Sequence, residues 1–268
     1  MENLSRFTFS LVISFFLLSA FASADDFFLG KPAEDEQAAA DCSEDENGCK
    51  SKWKSSVEFG YVAVSGNTDT TSVNGRFELG YEVEKWRHGG FIASQTTTTE
   101  DRLTGVQTDA EKYTAQVKSD YKYSDSAYAF GIADYDNTKD SGFDYQISYA
   151  LGAGYRFIEQ KAHQLDAEMG IGVRDSKTEL TSESNSESIV RLAGLYKWQI
   201  SKNSTFEQQL STEVGDDNTI SRTYTGVTAN IIESLALKVS YTAKRQTEVP
   251  VGNEKLETIT SFTVVYTF

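Results

Sequence analysis

The sequence predicts an all-β fold, a 12-stranded antiparallel up-and-down transmembrane β-barrel. Three observations carry this expectation. Apolar and polar residues alternate with period two in twelve successive runs from Trp53 onward. The connections between the runs are short on one side and longer on the other. The last run, 258–268, sets Phe262, Val264, Tyr266 and Phe268 on one face and ends on an aromatic residue. A closed barrel needs its last strand to pair with its first, because that pairing removes the sheet edge.

The N-terminus predicts export. Arg6 precedes an apolar run over 7–21, and Ala22-Ser23-Ala24 follows as a small-residue cleavage site. Residues 1–24 read as a signal peptide cut between Ala24 and Asp25, the apolar run being shorter than the roughly 20 residues of a membrane span. Residues 25–52 are acidic, contain Pro32 and lack alternation, so they read as a flexible periplasmic leader. Cys42 and Cys49, a close pair in an exported chain, are expected to form a disulfide. Ser43, Asp45, Asn47 and Gly48 mimic EF-hand spacing. Serine at the first position and Lys54 at the twelfth, where a bidentate Glu is required, argue against calcium. No cofactor or metal is expected.

The mean hydropathy of -0.43 excludes a helical membrane protein but not a barrel, whose alternating strands average out. With 14 Tyr, 16 Phe, 19 Gly and 2 Pro, the composition suits continuous strands. The net charge of -15 argues against a nucleic-acid partner, which wants a basic surface.

The strands follow in order. The first, about 53–64, opposes Val57, Phe59 and Tyr61 to Ser56 and Glu58. The second, about 70–84, opposes Phe77, Leu79 and Tyr81 to Arg76, Glu78 and Glu82. The third, about 89–99, is irregular and ends in a Thr run. The fourth, about 109–123, opposes Tyr113, Val117 and Tyr121 to Lys112, Lys118, Asp120 and Lys122. The fifth, about 127–136, carries Tyr128, Phe130 and Ile132 opposite Ala129, Gly131 and Ala133. The sixth and seventh are the clearest, with Tyr145 to Phe157 opposing Gly152, Gly154 and Arg156, and Leu165 to Val173 opposing Asp166, Glu168, Gly170, Gly172 and Arg174. The eighth, about 187–200, opposes Val190, Leu192 and Trp198 to Arg191 and Lys197. The ninth and tenth, about 204–214 and 219–232, are more polar. The eleventh, about 235–245, opposes Leu237, Val239 and Tyr241 to Lys238 and Lys244.

With the first strand starting in the periplasm, short turns fall near 85–88, 124–126, 159–162, 201–203 and 233–234. Longer loops fall on the other side, near 100–108, 137–144, 175–186 and 246–255, with short ones at 65–69 and 215–218. Trp53, Trp86, Trp198, Tyr121, Tyr123, Tyr128, Phe130, Tyr155, Phe157, Tyr266 and Phe268 then gather at the periplasmic end and Tyr61, Tyr135, Tyr145 and Tyr241 toward the other, as two aromatic girdles.

The stretch 59–72, read F-G-Y-V-A-V-S-G-N-T-D-T-T-S, resembles the opening motif of the salt-induced outer-membrane protein family, a bacterial domain family of unknown function. Trp86-Arg87-His88, 152–156 and the terminal Val265-Tyr266-Thr267-Phe268 resemble it too. The resemblance covers about 53–268 and implies a cell outer-membrane barrel of a Gram-negative bacterium. It supplies no catalytic residues.

The lumen is expected to carry mixed charges: acids Glu58, Glu78, Glu82, Asp120, Asp166, Glu168, Glu207 and Glu213, and bases Arg76, Lys112, Lys118, Lys122, Arg156, Arg174, Arg191, Lys197, Lys238 and Lys244. These either line a narrow pore for small solutes or ions, or pair and plug a structural or envelope-stress barrel. Inward glycines at 131, 152, 154, 170 and 172 either leave room for a path or let bulky side chains opposite them fit. A lipid hydrolase needs a nucleophile, a base and an orienting group. The only histidines are His88 and His163, both at predicted turns, and no G-x-S-x-G motif is present, so no enzyme is expected. Expected partners are outer-membrane lipid and the barrel-assembly machinery, with Phe262, Val264, Tyr266 and Phe268 as the assembly signal.

Overall fold

In the computed structural model, residues 52–65, 68–101, 104–139, 141–179 and 181–268 are described. The signal peptide, the acidic leader up to residue 51, the stretch 43–48 and the Cys42–Cys49 pair lie outside these residues, whereas Lys52, read as the end of the leader, opens the first strand. Among the described residues twelve antiparallel strands close into one barrel, each paired with its neighbours in sequence, and β12 returning to β1. They are β1 Lys52–Val64, β2 Thr68–Glu82, β3 Trp86–Asp101, β4 Gln107–Lys122, β5 Ala127–Thr138, β6 Phe143–Glu159, β7 His163–Thr178, β8 Ser184–Ser201, β9 Ser204–Gly215, β10 Thr219–Ile232, β11 Leu235–Gln246 and β12 Leu256–Thr267.

The closing seam is short. The described β1–β12 pairing joins 56–59 to 264–267, whereas β1 and β2 pair over 52–64. Phe268 lies one residue beyond β12, yet its N–H donates to Ser55 O at 3.0 Å.

Alternation decides which side chains enter. A large apolar residue stands exposed near the middle of eleven strands, among them Phe59, Ile92, Leu151, Ile171, Leu210 and Phe262. Their neighbours in sequence point inward and are mainly charged or polar. The barrel therefore wears its apolar face outside, the reverse of a soluble β-core. At the end where β1 begins, the Trp53 end, aromatic rings meet in succession. Trp53 lies 4.6 Å from Tyr81, Trp86 5.0 Å from Tyr121, Tyr155 5.0 Å from Phe157 and Tyr266 4.8 Å from Phe268.

β5 corrects the sequence reading. Tyr128, Phe130 and Ile132 were expected outside and Gly131 inside; the structure turns this strand the other way. Tyr128, Phe130 and Ile132 are buried and pack with Ala150. The reason lies in the partner strands. A Cβ at Gly152 or Gly170 would strike the Phe130 ring, and one at Gly154 would strike Tyr128. The inward glycines of β6 and β7 thus form the floor on which two β5 rings lie. With the bulk of β5 inside, its outer face is only Ala129, Gly131 and Ala133. A depression of about 1910 Å³ on the outer wall includes Gly131 and Ala133, with Ile92, Val117, Tyr149 and Leu151 beside them.

The strands also reach further than predicted at the far end. β7 continues to Thr178 and β8 starts at Ser184, so the loop expected over 175–186 shrinks to 179–183. Hydroxyl-rich segments such as 184–188 pair readily as a projecting hairpin.

Candidate functional site

The chemistry of this barrel sits in its interior. Of the charges expected in the lumen, Glu58, Arg76, Glu78, Lys118, Asp120, Asp166, Glu168, Arg174 and Arg191 are buried, and Glu82, Arg156 and Lys197 are partly buried toward the Trp53 end. They sit as partners rather than as separate charges.

Three layers can be followed from the Trp53 end. In the first, Arg87 Nε donates to Asp120 Oδ2 at 2.7 Å. Arg156 takes Asp166 with two bonds, Nε to Oδ1 at 2.8 Å and Nη2 to Oδ2 at 3.1 Å. Lys122 pairs with Glu82, and Lys197 with Glu207 at 3.2 Å. In the second layer Lys118 lies between Asp120, 3.1 Å away, and Glu168. Tyr128 donates its hydroxyl to the same Glu168 at 2.8 Å. The Lys118 ammonium also stands 5.2 Å from the Phe130 centroid, within reach of a cation–π attraction. On the opposite wall Lys238 donates to Glu58 at 3.0 Å, and Arg76 pairs with Glu78 while covering the Phe91 ring at 3.7 Å.

The third layer lies toward the far end. Glu213 accepts from Arg191 Nη1 at 3.0 Å, Arg174 Nη1 at 3.3 Å and Ser148 Oγ at 3.2 Å. Arg174 also donates to Glu187 Oε1 at 2.6 Å. Lys112 donates to Glu257 at 2.9 Å, and Lys244 stands 3.0 Å from Asp136. Isolated buried charges are expensive, and each of these is offset by a partner in hydrogen-bonding geometry.

Several bonds span the lumen. Lys118 and Glu168 lie three strands apart, Lys112 and Glu257 four, and Lys244 and Asp136 six, which in a ring of twelve is the full diameter. Among the described residues small interior cavities remain, including ones of about 30 and 20 Å³.

Arg87, Asp134, Asp136, Glu187, Arg222 and Glu257 also belong to this interior and were not singled out from the sequence. Parity could have found two of them: Asp134 and Asp136 continue the face of Tyr128, Phe130 and Ile132, so their charge marks that face as inward.

The histidines sit elsewhere. His88 is exposed at the Trp53 end, stacked on Trp86, with Nδ1 2.8 Å from Ser119 Oγ. Among the described residues no carboxylate or amide orients its ring. His163 Nδ1 meets Tyr196 Oη at 2.8 Å and stacks near Trp198. Among the described residues no three His, Cys, Asp or Glu side chains gather as a metal centre.

Comparison with known proteins adds three findings. A sequence family described as "Protein of unknown function, DUF481" matches residues 57–268. "Uncharacterized protein YdiY" of Escherichia coli (strain K12) is 28% identical over 221 residues, covering 80% of this chain and 84% of that one. Among solved structures, the COG4313 outer membrane channel from Pseudomonas putida F1 aligns with a TM-score of 0.48 and 11% identity, over 81% of this chain and 95% of its own. The NanC porin aligns at 0.47 and 12%, over 80% and 98%.

Proposed function

The chain belongs to the DUF481 family of proteins of unknown function, and from the geometry of its barrel we propose that it is an outer-membrane protein forming a narrow pore for small ions or polar solutes. The observation that carries this reading is the inversion of the barrel. Its outer wall is apolar and ringed by aromatics at the Trp53 end, while its interior is charged and retains water-sized cavities among the described residues. Such a wall is stable against lipid, and such an interior against water. In this reading the Trp53 end lies in the periplasm and the signal peptide is removed.

A second reading has its own support. The bonds that cross the lumen, above all Lys244 to Asp136, suit a barrel filled for rigidity, with a structural or envelope-stress (salt-response) role. Purified protein in planar bilayers separates the two. Reproducible single-channel steps overturn the plugged barrel, and silence under all voltages overturns the pore. The membrane assignment has its own check. A mobility difference between boiled and unboiled samples is expected, together with recovery in the outer-membrane fraction; a soluble protein with no shift overturns it.

A further inference from the structure

The far mouth of the barrel is crossed by one of its own loops. Residues 247–255 join β11 to β12, yet they reach Gly142 in the β5–β6 connection. A Cβ at Gly142 would lie 2.8 Å from Pro250 Cγ and 2.5 Å from Asn253 Nδ2. β6 stands five strands from β11 and six from β12 around a ring of twelve. The contact therefore spans the opening from wall to wall. Gly142 is buried although it lies in a connection, and its φ of 84° is one that glycine adopts readily.

The loop has a firm stem and a rigid tip. At the stem, Thr247 N donates to Thr219 O at 3.0 Å, and Thr219 N donates to Thr247 Oγ1 at 2.9 Å. Asn218 Oδ1 accepts from Glu248 N at 3.0 Å and from Thr247 Oγ1 at 3.2 Å. Asn218 is itself buried; its backbone oxygen accepts from Arg174 and its side-chain amide donates to Gln246 at 3.1 Å. The tip, 250–253, is a turn closed by Asn253 N onto Pro250 O at 3.2 Å. Gly252 supplies the positive φ, 99°, that the third residue of a type II turn needs. Among the described residues no hydrogen bond joins this tip to Gly142; the two meet by packing. The tip is therefore free to leave its seat as a unit while the stem holds.

We propose that 247–255 is a lid over the far mouth, closed in this structure, which admits small solutes to the interior from that side by lifting 250–253 off Gly142. Shielding of the interior follows from the lid alone; conduction rests on the pore reading above.

The test is the rate at which methyl methanethiosulfonate labels Gln146→Cys in a chain that also carries Cys42→Ser and Cys49→Ser, once heat-modifiable mobility shows that it folds. Gln146 is buried and bonds Gln246, the residue before the stem, at 3.2 Å. Ser148→Cys, deeper on the same strand and also buried, is a second reporter. Two changes unseat the tip from opposite sides. Gly142→Asn tolerates a positive φ and puts a Cβ where the tip rests, and deletion of Val251 and Gly252 shortens the tip. Lys177→Ala, which alters an exposed pair with Asp144, is the control. Both lid variants are expected to label several-fold faster than the parent and the control, and to conduct more in planar bilayers with potassium chloride. Parental labelling rates in both variants overturn the lid, and a conducting parent then leaves the pore standing. Faster labelling with silent bilayers overturns the pore and leaves the lid.

Discussion

Lys244 on β11 and Asp136 on β5 meet at 3.0 Å across the full width of the barrel. Removing one partner leaves a buried charge, which costs about 3–5 kcal/mol, whereas removing both costs far less. Lys244→Met is therefore expected to lower the urea midpoint of the detergent-folded barrel markedly, and the double variant with Asp136→Leu to recover most of it. A double variant as unstable as the sum of the singles would show that the two residues do not interact.

Tyr128 tests the second layer. Its hydroxyl bonds Glu168 at 2.8 Å, and Tyr128→Phe is expected to cost about 1–3 kcal/mol by leaving a buried carboxylate short of a donor. Tyr128→Ala removes the ring from the glycine floor as well and is expected to cost about 3–5 kcal/mol. Equilibrium unfolding followed by tryptophan fluorescence reads both.

Two glycines of the same neighbourhood should respond in opposite ways. A Cβ at Gly152 meets the Gly170 backbone at 2.6 Å as well as the Phe130 ring, so Gly152→Val is expected to block folding. A Cβ at Gly131 meets only the end of the Leu151 side chain at 3.1 Å, on the depressed outer wall. Gly131→Val is expected to fold with a heat-modifiable band of parental intensity.

The Phe268 amide bonds Ser55 and its ring lies 4.8 Å from Tyr266. Deleting Phe268 removes both. The deletion is expected to lower the amount of folded barrel in the outer-membrane fraction, measured against total protein, as an assembly signal at this position requires. Phe268→Ala keeps the amide, so comparing the two separates the backbone contribution from the ring's.

Strand positions were legible because a barrel writes them as alternation. β10 spans 219–232 as read, and the others differ mainly by extra paired residues at their ends. β5 was misread because alternation does not name the face. Tyr128 and Phe130 are large and apolar, and size suggested the outer wall. The deciding facts were the charges at 134 and 136 two steps further along, and the glycines of β6 and β7 that make room inside. Arg222 and Glu257 escaped notice for another reason. Each is a lone charge in a polar strand; the register of the β9–β10 hairpin brings Arg222 to Glu213, and the closed ring brings Glu257 to Lys112.

The few rungs joining 56–59 to 264–267 set how this protein comes apart. Every other junction is a hairpin whose strands a connection holds together, so a broken rung there re-forms at once. At the seam nothing covalent links the two sides. Opening it turns the cylinder into a curled ribbon with two raw edges, β1 and β12, without disturbing any hairpin. Amide exchange should therefore begin at 56–59 and 264–267, and mechanical pulling should unravel the ring from that clasp.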